Sequence, residues 1–165
     1  DVEKLALCSY FAEVAEAVAE EGRPDQALLS LLLNSIYALD RLNKPPALVK
    51  AAFELRLLCV AGYEPLLDAC ALCGEEAPAQ PRLDLGEGVL CCAACGEGEG
   101  ASRPLDAVSL AAMRHVVYGD PKRLFSFSMN GESMALMARA CEDFLLTQLD
   151  RGFRTLDLYK QLDMG

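Results

Sequence analysis

Four cysteines carry the chemistry that this sequence most clearly offers: Cys70 and Cys73 in C-A-L-C, then Cys92 and Cys95 in C-A-A-C. Eighteen residues lie between the two pairs. A two-residue gap lets both thiolates of one turn face a single ion, and two such turns complete a tetrahedron. A glycine follows each pair, Gly74 and Gly96, where a tight turn calls for positive φ. Between the pairs, Arg82–Leu85, the turn Gly86-Glu87-Gly88 and Val89–Cys91 read as a short hairpin. The expected cofactor is therefore a structural Zn2+ held by Cys70, Cys73, Cys92 and Cys95 in a ribbon or knuckle. Cys91 precedes Cys92 directly and offers a three-residue gap, so the choice of third ligand rests on the shorter gap.

Other cysteine chemistries stay open at this point. A disulfide framework would suit an exported chain, but no basic segment followed by an apolar stretch marks export. Cys8, Cys59 and Cys141 lie in apolar helical stretches, where free thiols behave as small core residues. A C-x-x-C redox pair would open a helix beside a parallel sheet, and no such alternation occurs. An iron–sulfur cluster can use the same four ligands. Free cysteines in the helices fit a reducing compartment, and the cytoplasm is the expected setting.

Charge narrows the partners. The formal net charge is −10, and residues 66–101 hold seven acidic side chains against one basic one, Arg82. A zinc ion with four thiolates adds about −2 to that segment. Zinc modules that grip nucleic acid neutralise phosphates with Lys and Arg. This one would repel them.

The elements that must position the cysteines are helical. Apolar residues recur at helical spacing over 3–21, 25–43 and 132–149, with breaks at Gly22-Arg23-Pro24 and Asn43-Lys44-Pro45-Pro46 and a stop at Gly152. Residues 47–61 are apolar almost all round, interrupted only by Lys50, Glu54 and Arg56, as a central helix would be. Residues 97–103 read as a loop, and helix resumes over 104–117 with Asp106 or Ser109 near its start. Residues 122–129 are amphipathic but of undefined type, and 153–162 form a short helix or tail. The fold class expected is all-α: a helical bundle over 1–65 and 102–165 with a small four-cysteine zinc insertion over 66–101. The chain opens on Asp1 and enters a helix at once, so a preceding segment is expected. No apolar run approaches the ~20 residues that span a bilayer.

No catalytic set stands out. His115 is the single histidine, late in a helix where the dipole favours it. There is no phosphate-binding glycine loop, and Met113, Met129, Met134 and Met137 read as core fillers. Basic residues concentrate at Arg41, Lys44, Lys50 and Arg56, and again at Arg114, Lys122 and Arg123. These are candidates for the rim of a groove that takes an acidic peptide.

The segment A-F-E-L-R-L-L-C-V-A-G-Y-E-P-L-L-D-A-C-A-L-C-G, Ala52–Gly74, resembles the RecO family of bacterial DNA repair and recombination mediators. Phe53, Glu54, Leu57, Leu58, Gly62, Tyr63, Pro65, Leu67, Cys70, Cys73 and Gly74 fit the family pattern. G-E-G-V-L-C-C-A-A-C is similar to the family's second cysteine pair, with one extra cysteine, and F-R-T-L-D-L-Y-K-Q-L is similar to its closing segment. The resemblance implies the helical, zinc-containing C-terminal domain of a non-enzymatic mediator. It implies RecR and the acidic C-terminal tail of single-strand DNA-binding protein as partners, recombinase loading as the outcome, and an N-terminal OB-fold, absent from this sequence, as the main DNA contact. The rival readings are a stand-alone nucleic-acid-binding zinc module and a thiol redox protein.

Overall fold

The computed structural model describes residues 1–96 and 100–164. Six helices and three short strands are formed among them: α1 Val2–Val18, α2 Gln26–Asp40, α3 Pro46–Val60, β1 Pro81–Asp84, β2 Val89–Cys92, β3 Ser102–Pro104, α4 Ala107–Tyr118, α5 Gly131–Leu149 and α6 Arg154–Asp163. The all-α bundle with a small cysteine-bearing sheet is the observed architecture. Among the described residues, no helix is long and apolar enough to cross a membrane.

Helices α1, α2 and α4 start where a polar side chain satisfies their free N–H groups. Asp1 accepts from Glu3 and Lys4 at 2.9 and 3.3 Å, and Asp25 accepts from Leu28 at 3.0 Å. Pro46 opens α3, where its missing N–H costs nothing. Asp106 and Ser109 form a reciprocal box at the head of α4, with bonds of 2.7 and 2.8 Å. α5 ends at Leu149, as expected, but the residue that turns the chain there is Asp150, in the left-handed conformation at φ 51°, ahead of Gly152. The 122–129 stretch resolves into a 3-10 turn, Pro121–Arg123, capped by Asp120, followed by open chain.

α3 is the central helix. Leu48, Val49, Ala51, Ala52, Phe53, Leu55, Leu57 and Leu58 are all buried, and α2, α4 and α5 pack around it. Phe53 stacks on Phe11 of α1 at 4.1 Å between ring centroids. Tyr10 meets Phe153 edge-on at 6.1 Å, which seats the chain leading into α6. Met113 and Met137 are fully buried, and Met129 and Met134 pack against the same core.

Lys50 is the largest departure from expectation. It is only 7% exposed. Its ammonium reaches Glu54 at 3.1 Å and Glu142 of α5 at 2.8 Å, and Glu142 also takes Lys160 of α6 at 2.8 Å. Lys50 is thus a core ion-pair residue and no rim candidate. Burial opposes the Lys50 charge, but the Glu54 and Glu142 carboxylates beside it outweigh burial and hold the ammonium protonated.

The sheet is antiparallel in the order β2-β1-β3, with Leu83 opposite both Leu90 and Arg103. β3 falls in a stretch read as loop and helix start. Three residues, Ser-Arg-Pro, carry no alternation to announce a strand; pairing to the edge of β1 defines it. The rest of the expected loop, residues 97–99, lies outside the described residues. Leu67, Leu83, Leu85 and Leu90 join the same apolar core as the helices. Arg103 pairs with Asp143 of α5 at 2.6 Å, and Gln148 donates to the carbonyls of Leu85 and Gly86 at 2.8 and 3.0 Å.

Candidate metal centre

The cysteine pairs are carried by two turns held against β2. Leu66 bridges to Val89, and the Ala71 N–H donates to the Leu90 carbonyl at 2.9 Å. The first turn closes through Gly74 N–H to the Cys70 carbonyl at 2.9 Å, with Gly74 at φ 79°. The second is a 3-10 turn, Ala93–Cys95, closed by Gly96 N–H to the Ala93 carbonyl at 3.1 Å, with Gly96 at φ 81°. Both glycines therefore occupy a backbone region that other residues enter at a cost.

The sulfurs of Cys70, Cys73, Cys92 and Cys95 all lie within 4.8 Å of one another. Cys70 to Cys95 is 3.8 Å, Cys73 to Cys92 is 3.7 Å and Cys92 to Cys95 is 3.3 Å. A tetrahedron with metal–sulfur bonds of about 2.3 Å has edges of about 3.8 Å, so the donor set fits a tetrahedral thiophilic ion. All eight cysteines are free thiols.

The electrostatics point the same way. The N–H groups of Cys73 and Leu72 aim at the Cys70 sulfur and hold its thiol down at about 6. The sulfurs of Cys92 and Cys73 push the Cys95 thiol well above its ordinary range. Thiols this close cannot all ionise by themselves; a cation at the centre lets them.

Cys91 does not join the cluster. Neighbouring residues of a strand face opposite ways, so with Cys92 in the cluster Cys91 turns from it, its sulfur 3.5 Å from the Arg82 carbonyl. Burial raises its thiol. His115 is also elsewhere: its Nε2 lies 2.8 Å from the Arg123 carbonyl and its ring meets Phe127 edge-on.

Two residues that no motif marks fasten this segment to the bundle. Arg114 of α4 donates to the carbonyls of Leu67, Asp68 and Glu76 at 2.8, 3.1 and 2.6 Å. Tyr118, one turn on, accepts the Leu67 N–H at 2.8 Å and donates to Asp68 at 2.5 Å. Their acceptors are mostly main-chain atoms, which leave no trace in the sequence.

The basic rim contracts accordingly. Arg114 is committed to the knuckle loop, and Arg56 to the carbonyls of Val116 and Val117 at 3.5 and 3.1 Å. Arg41 pairs with its neighbour Asp40 at 3.2 Å. Lys44 and Lys122 flank a groove of about 510 Å3 whose apolar lining includes Tyr37, Leu42, Leu124 and Phe125, while Arg123, next to Lys122, does not line it. Tyr37 and Leu42 are more than half exposed there, at 56% and 51%.

Comparison with known proteins finds relatives along nearly the whole chain. The family model for recombination protein O, C-terminal, matches residues 1–157. DNA repair protein RecO of Acetivibrio thermocellus is 25% identical over 163 residues, covering 99% of this chain and 65% of that protein. The RecO of Symbiobacterium thermophilum is 32% identical over 169 residues, covering 98% and 65%. That of Anaeromyxobacter sp. strain K is 40% identical over 114 residues, covering 68% and 44%. The chain thus spans 65% of the length of the first two relatives.

Proposed function

We propose, for a chain that belongs to the recombination protein O (RecO) family, the role of a zinc-stapled, non-enzymatic scaffold in DNA repair and recombination. Cys70, Cys73, Cys92 and Cys95 hold the zinc. Four thiolates fill its coordination and leave no position for water or substrate, so the ion supplies folding energy and geometry only. The scaffold presents a helical surface to RecR and to the acidic tail of single-strand DNA-binding protein, and so helps a recombinase load on coated DNA. Contact with DNA falls mainly to the remainder of the full-length protein. Free thiols at Cys8, Cys59 and Cys141 suit a cytoplasmic setting.

The groove between α2 and the 121–126 segment carries this reading. Two lysines flank an apolar floor on a chain whose net charge is −10. That combination suits a short peptide with carboxylates beside apolar side chains: charges steer it and the floor holds it. The test is a fluorescence titration with a labelled tail peptide, using the zinc-loaded chain. Charge reversal at Lys44 and Lys122 together is expected to weaken binding about ten-fold or more at low salt. Peptide binding that ignores both lysines, or no binding by the unaltered chain, would overturn the assignment.

A further inference from the structure

One wall of that groove is a single short segment, Pro121–Ser126. It brings Lys122 to the rim and Leu124 and Phe125 to the floor. Its geometry converges on one atom, the carbonyl oxygen of Arg123. That oxygen accepts from the Ser126 N–H at 3.0 Å, from the Ser126 hydroxyl at 2.7 Å and from His115 Nε2 at 2.8 Å. The first two bonds are internal to the segment. The third comes from α4, and among the described residues it is the only hydrogen bond from another helix that the segment receives. Since a carbonyl can only accept, the neutral imidazole carries its proton on Nε2.

The surroundings hold the histidine in that pose. Its ring stands edge-on to Phe127, with centroids 5.4 Å apart. Directly after α4 the chain turns beneath it at Gly119, where an added Cβ would collide with the His115 carbonyl oxygen. The close turn is what brings Arg123 back under the ring. Apolar packing of Leu124 and Phe125 is non-directional, whereas a hydrogen bond fixes orientation. His115 itself does not line the groove.

We propose that His115 is a positioning residue for the groove: its bond to the Arg123 carbonyl sets where Lys122, Leu124 and Phe125 stand to meet an acidic, apolar peptide. This rests on the reading of the groove as a peptide site. The test uses the zinc-loaded chain and a synthetic peptide with several aspartates followed by an apolar C-terminal residue. His115→Ala is expected to weaken binding about five-fold, the size of one neutral hydrogen bond. Amide hydrogen exchange at residues 122–127 should quicken, while zinc content and the amides of α3 and α5 stay as they were. His115→Gln keeps an amide N–H at similar reach and should restore most of both signals. Binding and exchange in His115→Ala equal to those of the unaltered chain would overturn the proposal, as would a glutamine variant that behaves like alanine. If the unaltered chain binds no peptide, the groove reading fails, and the exchange arm still decides whether His115 positions the wall.

Discussion

Tyr10 and Glu54, 44 residues apart in sequence, share a 2.6 Å hydrogen bond inside the bundle. The same Glu54 oxygen, Oε2, also takes the Lys50 ammonium at 3.1 Å, while Oε1 is buried with no partner. Burial lifts the Glu54 carboxyl above its ordinary value, against the pull of Lys50 and Tyr10. The helices α1, α3, α5 and α6 therefore meet at a charged chain running from Tyr10 through Glu54, Lys50 and Glu142 to Lys160.

Removing one member should cost more than removing a pair. Tyr10→Phe is expected to lower stability by about 1–3 kcal/mol, since Glu54 loses a donor it cannot replace. Lys50→Met strands Glu54 and Glu142 and should cost about 3–5 kcal/mol. The double variant Lys50→Met, Glu54→Leu should recover part of that loss. Urea unfolding of the three variants measures it; a double variant no more stable than Lys50→Met would contradict the chain.

Acid should destabilise the fold. Glu13 is held low by the Thr155 hydroxyl, Asp106 by Ser133, and Glu142, despite its burial, by Lys50 and Lys160. A carboxyl whose folded value is depressed binds fewer protons folded than unfolded, so its stabilisation is lost as pH falls through the folded value. Glu54 runs the other way: its contribution is complete below its unfolded value and lost as pH rises through its raised one. Below about pH 4.5 the three depressed groups therefore set the slope. Thermal midpoints should fall between about pH 5 and pH 3, and midpoints that climb over that interval would refute the assignment.

Elemental analysis should give one zinc per chain, with metal–sulfur distances of about 2.3 Å by X-ray absorption. Cys92→Ser should lose the ion, whereas Cys91→Ser, whose sulfur faces the Arg82 carbonyl, should keep it. The reverse pattern would exchange their roles.

Chelation is expected to loosen the two cysteine turns and leave the helices. Leu83, Leu85 and Leu90 anchor the sheet in the shared core, and Arg114 and Tyr118 hold the loop by bonds that do not pass through the ion. Far-ultraviolet circular dichroism should keep most of its helical signal, while amides around residues 70–76 and 92–96 exchange quickly. Loss of helix with the metal would show that the ion organises the whole fold.

Single-stranded DNA should bind this chain weakly at physiological salt. Phosphate neutralisation sets non-specific affinity, and several of the basic side chains here are spent on carbonyls or buried carboxylates. Phe11, Phe53 and Phe144, potential stacking surfaces, are buried. Micromolar or tighter binding in a fluorescence titration would favour the nucleic-acid zinc module instead.

The cysteine spacing, the hairpin between the pairs and the start of α4 near Asp106 or Ser109 were legible because each is a local rule: a fixed gap, an alternation, a polar residue before an apolar run. β3 was not, since its three residues become a strand only by lying beside β1. Lys50 was legible in principle. It stands four residues before Glu54 on a helix whose only other charged residue is Arg56, and such a pair has little solvated face to occupy. Composition alone places both charges outside. The contraction of the basic rim was invisible for a further reason: Arg56 and Arg114 are satisfied by carbonyl oxygens, which every residue possesses.

The clamp on the knuckle loop has an evolutionary corollary. Arg114 grips three oxygens belonging to the peptide chain itself, at Leu67, Asp68 and Glu76. Those oxygens survive any side-chain replacement that keeps the loop's path. Arg114's grip is blind to what the loop spells, so the loop can drift in sequence while that grip persists. Only the bond from Tyr118 to the Asp68 carboxylate ties the joint to a loop side chain.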